Sequence, residues 1–260
     1  MARHLIIGAS HAIHLAQAMG PVEADREAAS RGALPISVTG TADTWKLLLL
    51  THQRPFLTFH PGARGIEVRA DPVLLEDLAC FDAPDSRIVC LIGGNEHNAQ
   101  FMIAHPQPFD LVHPRGPAPQ PGRQIVPAAV IRRTLAQSLE FARLALVSLG
   151  ELFPNATRHV VAPPPPIPSD AQIRGSPESF EFGQRRVESA AVRLKIYETL
   201  LDVLAGIAAG SGCVFMAPPA SRRDAQGFLA QPYWLGATHA TPTYYEPVIA
   251  ALGVQRHASV

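Results

Sequence analysis

The chain has 260 residues, with 22 Lys and Arg against 22 Asp and Glu, so its formal net charge is zero. That balance, without any long run of like charge, excludes the basic footprint of a nucleic-acid-binding protein, and 47% hydrophobic against 17% charged residues excludes a disordered chain. The apolar runs are short: Leu47–Leu50 falls far below the roughly 20 residues a membrane helix needs.

Leu5-Ile6-Ile7-Gly8 is likewise too short for a signal-peptide core, which gives the expectation of a cytoplasmic protein with no membrane partner. The same run predicts a buried strand that stops at Gly8-Ala9-Ser10. Helical character follows from His11 to about Ala29, interrupted at Gly20-Pro21. Leu34–Val38 and Phe56–Phe59 read as further strands. Asp71-Pro72 opens a helix that reaches about Ala79, an acid before a proline at the first helical position.

Arg87–Ile92 is the next strand, ending at Gly93-Gly94-Asn95. Pro127–Leu149 has apolar residues at helical spacing and closes at Gly150. Thr157–Ala162 is a strand that runs into four prolines, Gln184–Ala209 a second long helix, Cys213–Ala217 a strand, and Pro242–Leu252 a terminal helix. Strands apolar on both faces and alternating with helices predict a parallel sheet covered on both sides, within one domain spanning residues 1–260. The Pro-rich stretches near 104–127 and 163–177 each follow a strand end, where open α/β sheets bind ligands, and read as active-site loops. Cys80, Cys90 and Cys213 form no CxxC pair and read as small buried hydrophobes.

Three segments carry chemistry-bearing residues just after strands: Gly8-Ala9-Ser10-His11, Gly93-Gly94-Asn95-Glu96-His97-Asn98 and Gly236-Ala237-Thr238-His239. In a parallel sheet they share one edge, so a hydroxyl nucleophile, an amide donor and an imidazole can converge, as acyl transfer requires. Each also has an ordinary reading: Ser10 as a helix N-cap, Asn95 as an Asx-turn, His239 as one of eleven structural or exposed histidines. His11 and His14 share a helix face, but no carboxylate or cysteine completes a metal set. Arg222-Arg223 suits either an anionic substrate or a solvated pair. Neither GxGxxG, GxxxxGK[ST] nor GxSxG is present at a strand end, which speaks against dinucleotides, nucleoside triphosphates and the nucleophile elbow.

Taken in order, GASH after the first strand, GGNEHN after a central strand and a late His before a terminal helix resemble the SGNH (GDSL-like) hydrolase family over nearly the whole chain. The resemblance implies a flavodoxin-like three-layer α/β/α sandwich with a central parallel sheet. It also implies Ser10 as nucleophile, His239 as base and Asn95 as an oxyanion donor, with no cofactor or metal. The family's oxyanion glycine maps onto Gly62 or Gly65. His97 and Asn98, which follow Asn95 closely, suit either a substrate contact or a solvated loop. Two positions depart from the family: Ala9 replaces the Asp of its first motif, and Gly236 stands where the acid that orients the base belongs. Loss of that acid leaves three possibilities: a Ser–His dyad held by a backbone carbonyl, a substitute acid such as Glu96, or a degenerate site. The expected function is a serine esterase acting on a small-molecule or carbohydrate ester. An acyltransferase and a non-catalytic ligand-binding module of the same fold are the alternatives.

Overall fold

The computed structural model describes residues 2–24, 35–50, 56–62, 65–177 and 185–255. From the N-terminus, β1 (Arg3–Gly8) leads into α1 (Ser10–Met19), followed by β2 (Val22–Ala24), β3 (Pro35–Val38) and β4 (Thr44–Leu49). A hairpin of β5 (Leu57–Gly62) and β6 (Gly65–Ala70) precedes α2 (Pro72–Leu78), β7 (Arg87–Leu91) and α3 (Glu96–Phe101). Next come β8 (Phe109–Asp110), β9 (Gln124–Ile125), α4 (Ala128–Ser138), α5 (Glu140–Leu152), β10 (Thr157–Val161) and α6 (Asp170–Gly175). The long α7 (Ala190–Gly210), β11 (Val214–Met216), a small hairpin of β12 (Trp234–Leu235) and β13 (His239–Ala240), and α8 (Glu246–Ala251) complete the order.

Seven strands form one sheet in the order β11-β10-β7-β1-β4-β3-β2. The first five run parallel, as the continuous apolar runs predict. The last two correct the expectation of an all-parallel sheet, because β3 pairs antiparallel with β4 and β2 antiparallel with β3. The predicted helix beyond Gly20 is replaced by edge strand β2; the remainder of that prediction, and Leu34, lie outside the described residues. Strand β4 escapes the apolar-run reading because Lys46, bonded to Ser37 Oγ at 2.8 Å, breaks the run between buried Trp45 and Leu47.

Alternation along β1 divides the core into layers. Leu5 and Ile7 face a cluster with Leu74, Leu146, Leu149 and Phe153, whereas Ile6 faces Leu15, Tyr244, Tyr245 and Ile249. This is a three-layer α/β/α sandwich. One predicted helix proves to be two: α4 and α5 meet at Leu139. Thr134 and Ser138 each bond the carbonyl four residues back, Val130 and Thr134, a pattern that bends helices near such a joint. Of the cysteines, Cys90 and Cys213 are buried, but Cys80 is exposed. No helix among the described residues is long and apolar enough to cross a membrane.

Candidate active site

Strand β1 ends against its neighbours so closely that a Cβ on Gly8 would stand 2.8 Å from the Leu91 carbonyl and 2.9 Å from Ala12 Cβ. Glycine is required where sheet and helix approach like this, and it sets Ser10 on the first position of α1, exposed at the C-terminal edge of the sheet. The N-cap falls on Ala9, whose carbonyl accepts from Ala12 and Ile13, so the Ser10 hydroxyl does not cap the helix. At a helix start the backbone N–H groups lack intrahelical partners, and the peptide dipoles favour negative charge.

His239 arrives from the other end of the chain. Tyr244, Tyr245, Val248 and Ile249 share a core cluster with Ala12 and Leu15 of α1, which brings β13 alongside that helix. His239 Nε2 lies 2.7 Å from Ser10 Oγ, and Thr238 Oγ1 lies 3.3 Å from His239 Nδ1. Gly236, where the family's acid would stand, occupies the turn between β12 and β13 at φ 58°, a conformation that glycine adopts without strain. Its carbonyl accepts from Gln172 Nε2 at 3.2 Å.

Two further rings surround His239 that the sequence noted only as a metal possibility. His11 lies 4.9 Å away between centroids and His14 5.6 Å, the latter edge-on. Burial first, then repulsion from His239, His14 and His97, depresses His11 to about 3, so its ring is neutral. Tyr245 Oη stands 3.4 Å from its Nδ1. Among the described residues no set of three or more His, Cys, Asp or Glu is arranged to hold a metal ion.

Asn95 follows β7 at the start of α3, exposed, with no side-chain cap bond. Its Oδ1 accepts from Asn98 Nδ2 at 2.9 Å, and its backbone N–H donates to Glu96 Oε2 at 3.0 Å. The carboxamide is thereby oriented with Nδ2 as the remaining donor. The preceding Gly94 packs on the site, since a Cβ there would stand 3.3 Å from His11 Cδ2 and 3.2 Å from Pro163 Cβ. The second Pro-rich stretch thus borders the site with its buried segment from Pro163 to Ile167. The first is fastened to α7, with Asp110 paired to Lys195 and Arg115 to Glu198 at 2.6 Å, and to the segment before that helix, with Arg123 paired to Glu188 at 2.7 Å.

Three other expected residues sit elsewhere. His97 is 4% exposed, its ring 5.5 Å from that of Tyr197, and neither ring nitrogen has a hydrogen-bond partner; it is an interior residue and not a surface contact. Gly62 and Gly65 pair with each other at the tip of the β5–β6 hairpin, and the opposite end of that hairpin borders a cleft beside Glu96. Glu96 faces this cleft, where burial raises its pKa against the backbone N–H bonds of Glu96 and Asn95. Arg222 and Arg223 are neither solvated nor free for an anion: Arg222 bonds Glu246 at 2.9 Å, and Arg223 pairs with buried Glu198.

No family model and no curated protein matches the chain. Solved structures that align with it include the extracellular lipase from Streptomyces rimosus, 16% identical with a TM-score of 0.46, over 96% of this chain and 99% of that one. Phospholipase A1 from Streptomyces albidoflavus NA297 aligns at 12% identity and a TM-score of 0.44, over 96% and 98%. The periplasmic domain of the lipopolysaccharide acetyltransferase of Salmonella ser. Paratyphi A aligns at 11% and 0.44, over 96% and 82%.

Proposed function

We propose that the protein is a serine hydrolase that cleaves a carboxylic ester through an acyl-enzyme on Ser10. The observation that carries this is the 2.7 Å contact of Ser10 Oγ with His239 Nε2 at a helix start on the sheet's C-terminal edge. Ser10 Oγ bonds to the ester carbonyl carbon as His239 Nε2 takes its proton. The carbonyl oxygen becomes an oxyanion facing the Ser10 N–H and Asn95 Nδ2. When the carbonyl re-forms, the bond to the alcohol breaks and the proton on Nε2 passes to the departing oxygen. A water molecule then repeats the sequence and frees the acid.

For Nε2 to act as base, Nδ1 must carry the ring proton, and Thr238 Oγ1 is an acceptor on that side. The glycine at 236 supports a second reading, a ligand-binding site without turnover, since no side chain there holds the imidazolium.

A fluorophosphonate probe tests the choice. Stoichiometric labelling of Ser10, located by peptide mass spectrometry and abolished in Ser10→Ala and His239→Ala, is the expected result. Failure of the wild-type protein to label would reject the hydrolase and favour the binding module.

A further inference from the structure

An ester has an acyl side, and a second feature of the sheet edge bears on it. A cleft of about 580 Å³ opens there, walled by Leu50, Phe59, Ile92, Phe141 and Ala145, with Glu96 at one end. Its position is fixed by backbone contacts to the Ser10 strand. The Leu50 N–H donates to the Gly8 carbonyl at 2.8 Å, and Ile92 continues β7 just past Leu91, the partner of Gly8. Glu96 follows Asn95 directly. Residues just past the ends of both strands that flank β1 therefore line the cleft, and Gly8, bonded to Leu50, stands two positions before Ser10 in the chain.

The lining is mainly aliphatic and aromatic, with Thr58, Ser138 and Glu96 as its polar members, and Phe59 and Phe141 stand edge to face at 5.0 Å between centroids. Phe141 is 55% exposed, an apolar side chain left at the surface of a helix where its neighbours Glu140 and Arg143 pair with each other. Among the described residues no cationic side chain lines the cleft, and the Glu96 carboxyl accepts backbone N–H groups. Such a wall offers few partners to the hydroxyls of a sugar, whereas it removes methylene groups from water.

We infer that this cleft receives the acyl chain of the ester, an unbranched aliphatic chain of medium length, running from the Ser10 carbonyl position between the β5–β6 hairpin and α5. The inference rests on the serine-hydrolase reading for its carbonyl end but can be measured without turnover.

Calorimetric titration of the full chain and of Ser10→Ala with carboxylates from butanoate to decanoate reads the cleft alone. Affinity is expected to rise about threefold to fourfold per methylene. Thr58→Trp, which fills the cleft from the hairpin, and Phe141→Gln, at an exposed site with little bearing on folding, should each weaken decanoate at least about tenfold. Affinity that is flat with chain length, or decanoate binding unchanged in both variants, overturns the inference. Hydrolysis of the matching p-nitrophenyl esters separates it from the reading beneath it. Ser10-dependent hydrolysis indifferent to acyl length would sink the cleft and spare the hydrolase. Length-dependent carboxylate binding with no ester hydrolysed would do the reverse.

Discussion

On the proposed reading, Asn95 is a side chain held in place before any substrate arrives. Its carboxamide oxygen is taken by Asn98 and its backbone N–H by Glu96, so the Nδ2 donor is held and not merely present. Asn95→Ala is expected to lower kcat on an ester by about 10² to 10³-fold with KM little changed, the weight of a lost oxyanion donor. Asn98→Ala, which keeps the donor and loosens it, should cost about fivefold, the weight of one ordinary hydrogen bond. Steady-state kinetics checks both, and equal losses in the two variants would remove the distinction between donor and support. The sequence singles out Ser10 and Asn95 because each follows an apolar strand that ends in glycine, and strand ends of a parallel sheet share an edge. His239 stands 229 positions from Ser10 and was legible only through its order in the chain. The rings of His11 and His14 beside it, and the burial of His97, were not legible. They depend on how α1 meets the C-terminal segment and how α3 meets α7, contacts that no local pattern encodes.

At the scale of elements, α7 behaves differently from what its pattern suggests. Apolar spacing predicts its helix but not that Arg193, Lys195 and Glu198 lie within the interior among the apolar side chains. Lys195 and Glu198 are buried because the Pro-rich stretch from 104 to 127 lies across the helix and brings its own charges, Asp110 to Lys195 and Arg115 to Glu198, whereas Arg193 is met by Ile167, Pro168 and Asp170 of the second Pro-rich stretch. A Pro-rich sequence reports a loop; its partner belongs to tertiary structure. Burial pushes the Asp110 carboxyl up, but the Lys195 bond and the N–H groups of Gln120 and Leu111 outweigh it and hold the group below its usual value. The two ends of this pair are therefore unequal. Lys195→Met leaves Asp110 with two backbone donors and should cost about 3 kcal/mol, whereas Asp110→Ala leaves a buried ammonium and two N–H groups without their acceptor and should cost about 5 kcal/mol. Urea unfolding gives the comparison. A larger loss for Lys195→Met than for Asp110→Ala would contradict this account of the loop's anchorage.

For the whole molecule, the buried histidines decide the response to acid. Burial first, then the charge of Arg193, depresses His97 to about 3, the same value as His11. Burial also lowers His4 and His159. In the unfolded chain these rings take up protons as pH falls through about 6.5, while in the fold His11 and His97 stay neutral until about 3. The unfolded state binds more protons across that window, so stability is full above it and drains away as pH falls. Asp110 and Asp202, held below their usual values, push the same way but only near and below the carboxylate range. Loss of stability should thus begin near pH 6, above the ordinary carboxylate range, at about 2 kcal/mol for each of His11 and His97 between pH 7 and 5. His97→Phe isolates one of them. At pH 7 it should match or exceed the wild type in urea, because it removes two buried ring nitrogens without partners and keeps the contact with Tyr197. Between pH 7 and 5 its loss should be smaller than that of the wild type by about 2 kcal/mol. An unchanged pH slope in His97→Phe would show that the acid sensitivity arises elsewhere, with His4 and His159 the next rings to replace. Because His11 packs directly on His239, the same acid range that loosens the fold also reaches the site, so ester hydrolysis below pH 6 has to be compared with the unfolding curve before its decline is assigned to the base.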